Sequence, residues 1–141
     1  MKYAIQLAVL WLSVLNSLVR VQVLGQGILP CGNYNGYGKG YILVANFDKG
    51  QKVSFGMSDG KRTKNLLPMS YKMNADGEIT VEISQSDKDT LEAAFPGRLN
   101  DNTLTNLLYF GGQNIMVTQA AEPTGTLQMI PVSVSHFVNC D

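Results

Sequence analysis

The spacing of apolar residues changes character several times along the chain. Residues 4–19 (AIQLAVLWLSVLNSLV) are apolar almost without interruption. From residue 78 an alternation takes over: EITVEIS (78–84) sets Ile79, Val81 and Ile83 against Glu78, Thr80 and Glu82. It follows an Asp76-Gly77 turn, which predicts a strand with one face buried. LTNLLYF (104–110), NIMVTQ (114–119) and TLQMIPVSVSHFV (126–138) follow, separated by Gly111-Gly112 and Glu122-Pro123-Thr124-Gly125. They predict three or four antiparallel strands. Pro131 inside the last run implies a bulge, an edge position or a break between two short strands. Upstream, CGNYNGYGKGY (31–41) carries four glycines among tyrosines and reads as an irregular loop. YILVANFDKGQKV (41–53) places Ile42, Ala45 and Lys49 at helical spacing with Gly50 as a stop. It also fits a hairpin strand turning at Asp48-Lys49-Gly50, and of the two the helix is favoured. TLEAAFPGRL (90–99) lies between strands and ends at Pro96-Gly97. The resulting expectation is an α+β domain, one short helix packed on an antiparallel β-sheet.

The apolar run behind Lys2, followed by VQVLG with small residues at Val23 and Gly25, reads as a signal peptide cleaved near Gly25. An uncleaved anchor is the alternative, though sixteen apolar residues fall just short of a span. The division is therefore a leader over 1–25 and a single secreted domain over 26–141. The full chain of 141 residues has 11 basic and 11 acidic side chains. Losing Lys2 and Arg20 leaves nine against eleven, a net charge of −2. That balance excludes polybasic and acidic tails, and it argues against DNA as a partner. The single histidine, His136, excludes any site or mechanism that needs two imidazoles. No metal or cofactor is expected. The two cysteines, Cys31 and Cys140, stand near the two ends of the secreted part. In an oxidising compartment they would join those ends, the alternative being two buried thiols.

Several segments together resemble the small guanyl-specific fungal ribonucleases. The ending His136-Phe137-Val138-Asn139-Cys140-Asp141 is similar to that family's Asn-Phe-Val-Glu/Gln-Cys terminus, and Pro30-Cys31-Gly32-Asn33 to its early Cys-Gly segment. VANFDKGQ stands where the family has its helix. LPMSYKMNADGEITVEI, AAFPGRL and TNLLYFGGQN resemble its successive strand segments in order and spacing. The resemblance implies a ribonuclease-like fold with a Cys31–Cys140 disulfide. It also implies a carboxylate, two histidines and an arginine as the catalytic set. The matching positions hold Met69, Ala94, Asn106 and the stretch Met129–Val132, so the chain departs from the family at nearly every catalytic place. Glu92, one gap away and paired with Arg98, and His136 are the remaining catalytic candidates. The chain accordingly resembles the non-catalytic ribonuclease-like effectors of biotrophic plant-pathogenic fungi, with Leu29-Pro30-Cys31 where that group carries Tyr-x-Cys.

What this implies is a secreted, non-enzymatic, monomeric effector that binds a host protein or RNA and takes no part in a membrane after cleavage. The candidate contact residues are Lys61, Arg62 and Lys64 in the loop DGKRTKN, with Tyr34, Tyr37 and Tyr71 to stack bases. A solvated basic loop and structural tyrosines are the plainer account of the same residues. Two other functions stay open: an active ribonuclease with a rearranged site, and a small disulfide-linked β protein with a structural or surface role.

Overall fold

The computed structural model of the chain describes residues 29–132. The leader over 1–25, His136 and Cys140 lie outside the described residues, and with Cys140 the second partner of the expected disulfide.

Nine strands and one helix follow in order: β1 (Gly32–Gly38), β2 (Tyr41–Phe47), β3 (Lys52–Ser58), β4 (Thr63–Asn65), β5 (Met69–Met73), β6 (Glu78–Val81), α1 (Gln85–Ala94), β7 (Asn106–Phe110), β8 (Ile115–Gln119) and β9 (Thr126–Pro131). The sheet runs β2-β1-β9-β8-β7-β6-β5-β3-β4, and β3 pairs back onto β2. Eight antiparallel strands therefore close into a barrel, and β4 hangs on the outer end of β3. This corrects the expected architecture. The sheet is closed rather than open, and among the described residues the one helix sits at a pole rather than across its face. The segment that the ribonuclease resemblance required to be a helix before residue 55 is β2.

The reason is visible in β2 itself. Tyr41, Leu43, Ala45 and Phe47 point inward and are buried, while Ile42, Val44 and Asn46 point outward. A period of two satisfies all seven residues, whereas the helical spacing accounts for only two of them, Ile42 and Ala45. The glycine-rich segment read as a loop is β1, because glycine is what its inner face needs. A Cβ on Gly36 would lie 2.9 Å from both Leu127 Cγ and Met129 Cγ, and one on Gly38 would meet the Tyr41 ring. The large side chains of β2 and β9 occupy the space that β1 leaves. The strand expected over 78–84 stops at Val81, since Ser84 caps α1 by accepting from the Asp87 amide at 3.1 Å. Pro131 ends β9 beside Tyr34, and the residues of the expected run beyond 132 lie outside the described residues.

Two poles result. α1, with Leu91 buried beneath it and Phe95 following, covers the pole that also carries the turns at 39–40, 59–62 and 120–125. Residues 48–51, 74–77 and 111–114 form the opposite pole, where the chain also enters through β1 and leaves after β9. The interior is filled by side chains under 2% exposed, among them Tyr34, Phe47, Phe55, Met57, Met116 and Met129. Burial of that size is the main stabilising term for a domain of this length.

Candidate interaction surface

Two tyrosine hydroxyls meet at the pole opposite α1, while the buried Thr118 hydroxyl, toward the α1 pole, donates to the Thr103 carbonyl. Asn114, held in the left-handed region at φ 53°, accepts from Tyr34 Oη at 2.6 Å and Tyr109 Oη at 2.9 Å. Tyr34 stacks edge-on against Phe47 and Tyr109, and Phe47 against Tyr71. Burial, and then the adjacent Tyr109, pushes the Tyr34 hydroxyl well above its usual pKa. Burial, followed by the Asp48 carboxylate, lifts Tyr71 to about 12. Tyr34 and Tyr71 therefore belong to the core and offer no face to a base. Tyr37, on the outer side of β1, is 62% exposed.

Of the catalytic candidates only Glu92 and its expected partner Arg98 lie among the described residues, and no ion pair joins them. Glu92 accepts the Gly97 amide at 2.9 Å, closing the end of α1, while Arg98 donates to the Lys39 carbonyl at 3.1 Å and lies over the Tyr41 ring. Glu92 does border a cleft of about 350 Å³, but its neighbours there are Lys88, Asp89, Asn100 and Asp101 over a floor of Leu99 and Leu104. No group of three or more metal-ligating side chains occurs among the described residues. Met69 and Phe95, at or beside places where the resemblance puts catalytic groups, are buried and packed.

The basic loop stands at the α1 pole. Asp59, its one acid, accepts from the Arg62 and Lys61 amides and pairs with the Arg62 guanidinium at 3.4 Å. Those amide bonds, before the Arg62 charge, hold the Asp59 carboxyl below its ordinary pKa. Arg62 also lies 5.6 Å over the Phe95 ring. Lys61 and Lys64 remain exposed, with no acid against them among the described residues.

A feature that single-strand patterns do not reveal is the division of the outer wall. On β3, β5 and β6 the outward positions are Lys52, Ser54, Gly56, Ser58, Ser70, Lys72, Glu78 and Thr80, with no apolar side chain. From β7 through β8, β9, β1 and β2 the outward positions carry no charge at all. Register brings their apolar members together: Phe110 opposes Ile115, Leu108 opposes Val117, and Tyr37 opposes Ile42. Ile130 and Val44 flank Asn35 from either side. Ile130 is 47% and Phe110 42% exposed. A groove of about 410 Å³ borders this half, with Leu108 and Val117 among its lining and Glu78 at its rim. One half of the outer wall is thus polar or charged throughout, and the other is uncharged, with apolar side chains set among Asn106, Gln119, Gln128 and Asn35. Each strand taken alone looks like an ordinary half-buried strand; the uncharged half exists only once closure sets five of them side by side.

No family model, curated protein or solved structure matches the chain.

Proposed function

We propose that this is a secreted, non-catalytic binding domain that holds a protein partner on the uncharged half of its outer wall. The observation that carries the reading is the split itself. An antiparallel barrel whose core is inside has no structural need for apolar residues outside, and contiguous exposed apolar surface on a soluble domain marks an interaction site. The absence of charge, with aromatic and branched side chains among the outward residues, is in keeping with the composition of interaction surfaces. A barrel inserted in lipid is apolar around its whole circumference and polar within; this one reverses the interior and keeps half its wall polar. The separate engagements of Glu92 with the Gly97 amide and of Arg98 with the Lys39 carbonyl support the non-catalytic part. The leader read in residues 1–25 supports secretion.

The test is site-directed photo-crosslinking of the full chain in the cells that secrete it. A benzophenone residue replacing Ile130 should give one discrete protein adduct, and the same group at Lys72 should give none. Ile130→Lys should reduce capture by a crosslinker at Tyr37 while leaving the unfolding midpoint unchanged. Equal adducts from both halves, or none from either, would overturn the reading.

A further inference from the structure

Every strand of the barrel has two hydrogen-bonded neighbours except β4, which pairs with β3 alone. Its three residues, Thr63, Lys64 and Asn65, are all exposed. The register decides which of their backbone groups are unused. Leu66 N donates to Phe55 O at 2.8 Å and Asp59 N to Arg62 O at 3.2 Å. Alternation in an antiparallel ladder then makes Lys64 and Met57 a hydrogen-bonded pair and leaves Thr63 and Asn65 as non-bonded pairs with Ser58 and Gly56. The N–H and C=O of Thr63 and Asn65 therefore point away from β3. Among the described residues no strand takes them.

We infer that β4 is a docking edge for an extended, acidic segment of a partner protein, added as a further antiparallel strand. Thr63 and Asn65 supply two donors and two acceptors, the main-chain recognition used wherever a peptide joins a sheet edge. Charge selects the occupant. Lys61, Arg62 and Lys64 crowd this edge, and Asp59, the one acid paired with any of them among the described residues, is already engaged by the loop's own amides and by Arg62. A second copy of the same strand is disfavoured, because antiparallel self-pairing centred on β4 brings Lys64 against Lys64. Lysine on an edge commonly discourages indiscriminate pairing; here the same charge admits a strand of opposite sign. Leu67, 83% exposed just beyond β4, gives the incoming segment an apolar anchor. This surface is separate from the uncharged half-wall, and neither inference depends on the other.

The probe is a fluorescein-labelled octapeptide of alternating valine and glutamate, read by anisotropy against the full chain, with a second copy N-methylated at every residue. The unmodified peptide should bind saturably with Kd below about 1 mM. Amide exchange should slow at Thr63 and Asn65 and stay unchanged at Lys64. Reversing Lys61, Arg62 and Lys64 to Glu should weaken binding by roughly tenfold or more. Thr63→Pro removes one outward N–H without touching the β3 ladder, and it should weaken binding with the charges intact. Equal binding of the N-methylated peptide, or no binding of either, overturns strand addition. So does retention of labelled oligouridylate through the same three cations with no binding of the peptide.

Discussion

Asn114 offers the sharpest test of what organises the barrel interior. Its side-chain oxygen accepts from both Tyr34 and Tyr109, and its backbone sits at φ 53°. Replacing it with alanine removes the shared acceptor and forces a Cβ-bearing residue with no local hydrogen bond to hold a left-handed conformation. A buried donor left without a partner costs about 1–3 kcal/mol, so two hydroxyls set a range of about 2–6 kcal/mol. Tyr34 is fully buried but Tyr109 is 7% exposed and can recruit water, which places the expected loss near 2–4 kcal/mol. The left-handed backbone adds roughly 1 kcal/mol for alanine and nothing for glycine. Urea unfolding followed by far-UV circular dichroism should therefore order the chains as wild type, Asn114→Gly, Asn114→Ala, with the last pair about 1 kcal/mol apart. Repeating Asn114→Gly in a Tyr34→Phe/Tyr109→Phe background should shrink its effect to under about 1 kcal/mol, since no hydroxyl is left to orphan. An undiminished effect there, or one under about 0.5 kcal/mol in the wild type, would refute the network.

Two further expectations follow from the same interior. Tyr34 and Tyr71 are held neutral with raised pKa values. Their contribution to stability is present below the unfolded tyrosine value near 10 and is lost as pH climbs through the folded values, about 12 for Tyr71. Unfolding and phenolate absorbance should thus rise together in that window, and titration of all tyrosines near pH 10 in a still-folded chain would contradict it. Leu91 is fully buried where α1 covers its pole, so Leu91→Ala should lose about 2–5 kcal/mol in urea unfolding. A loss under about 1 kcal/mol would show that α1 is not part of the core.

The downstream half of the chain was readable because its strands are amphipathic in the simple sense. EITV, NLLYF, IMVTQ and TLQMI each alternate inward and outward residues; NLLYF and IMVTQ lie within two residues of their expected limits, EITV stops three residues short of the expected 84, and the run expected to 138 ends as a strand at Pro131, its remainder lying largely outside the described residues. The upstream half was not, for two physical reasons. β1 spends two of its inward positions on Gly36 and Gly38, so its apolar signal resides on other strands, in Leu127, Met129 and Tyr41. β2 has Ile42 and Val44 on its outer face as well as Leu43 and Ala45 within, which blurs the period of two. Closure was unreadable for a different reason: it rests on β1 meeting β9, the first and last of the described strands, a pairing no local pattern encodes. Of the candidate contact residues, the cations of DGKRTKN were evident from their density, and Tyr37 is exposed. Tyr34 and Tyr71 could not be told from it, because inward and outward tyrosines look alike until register is known.

The pairing of Tyr34 with Pro131 sets the start of β1 beside the end of β9. Anything genetically fused before residue 29 or after residue 132 therefore issues from one side of the barrel, away from Lys61 and α1. A short linker joining those two points, with new termini opened at Asp59-Gly60, would yield a circular permutant carrying the same ring of strands. Such a permutant would turn the cationic tip into a tether and leave the tyrosine pole as a closed cap, so that immobilising either form on a sensor chip presents the opposite end to solution.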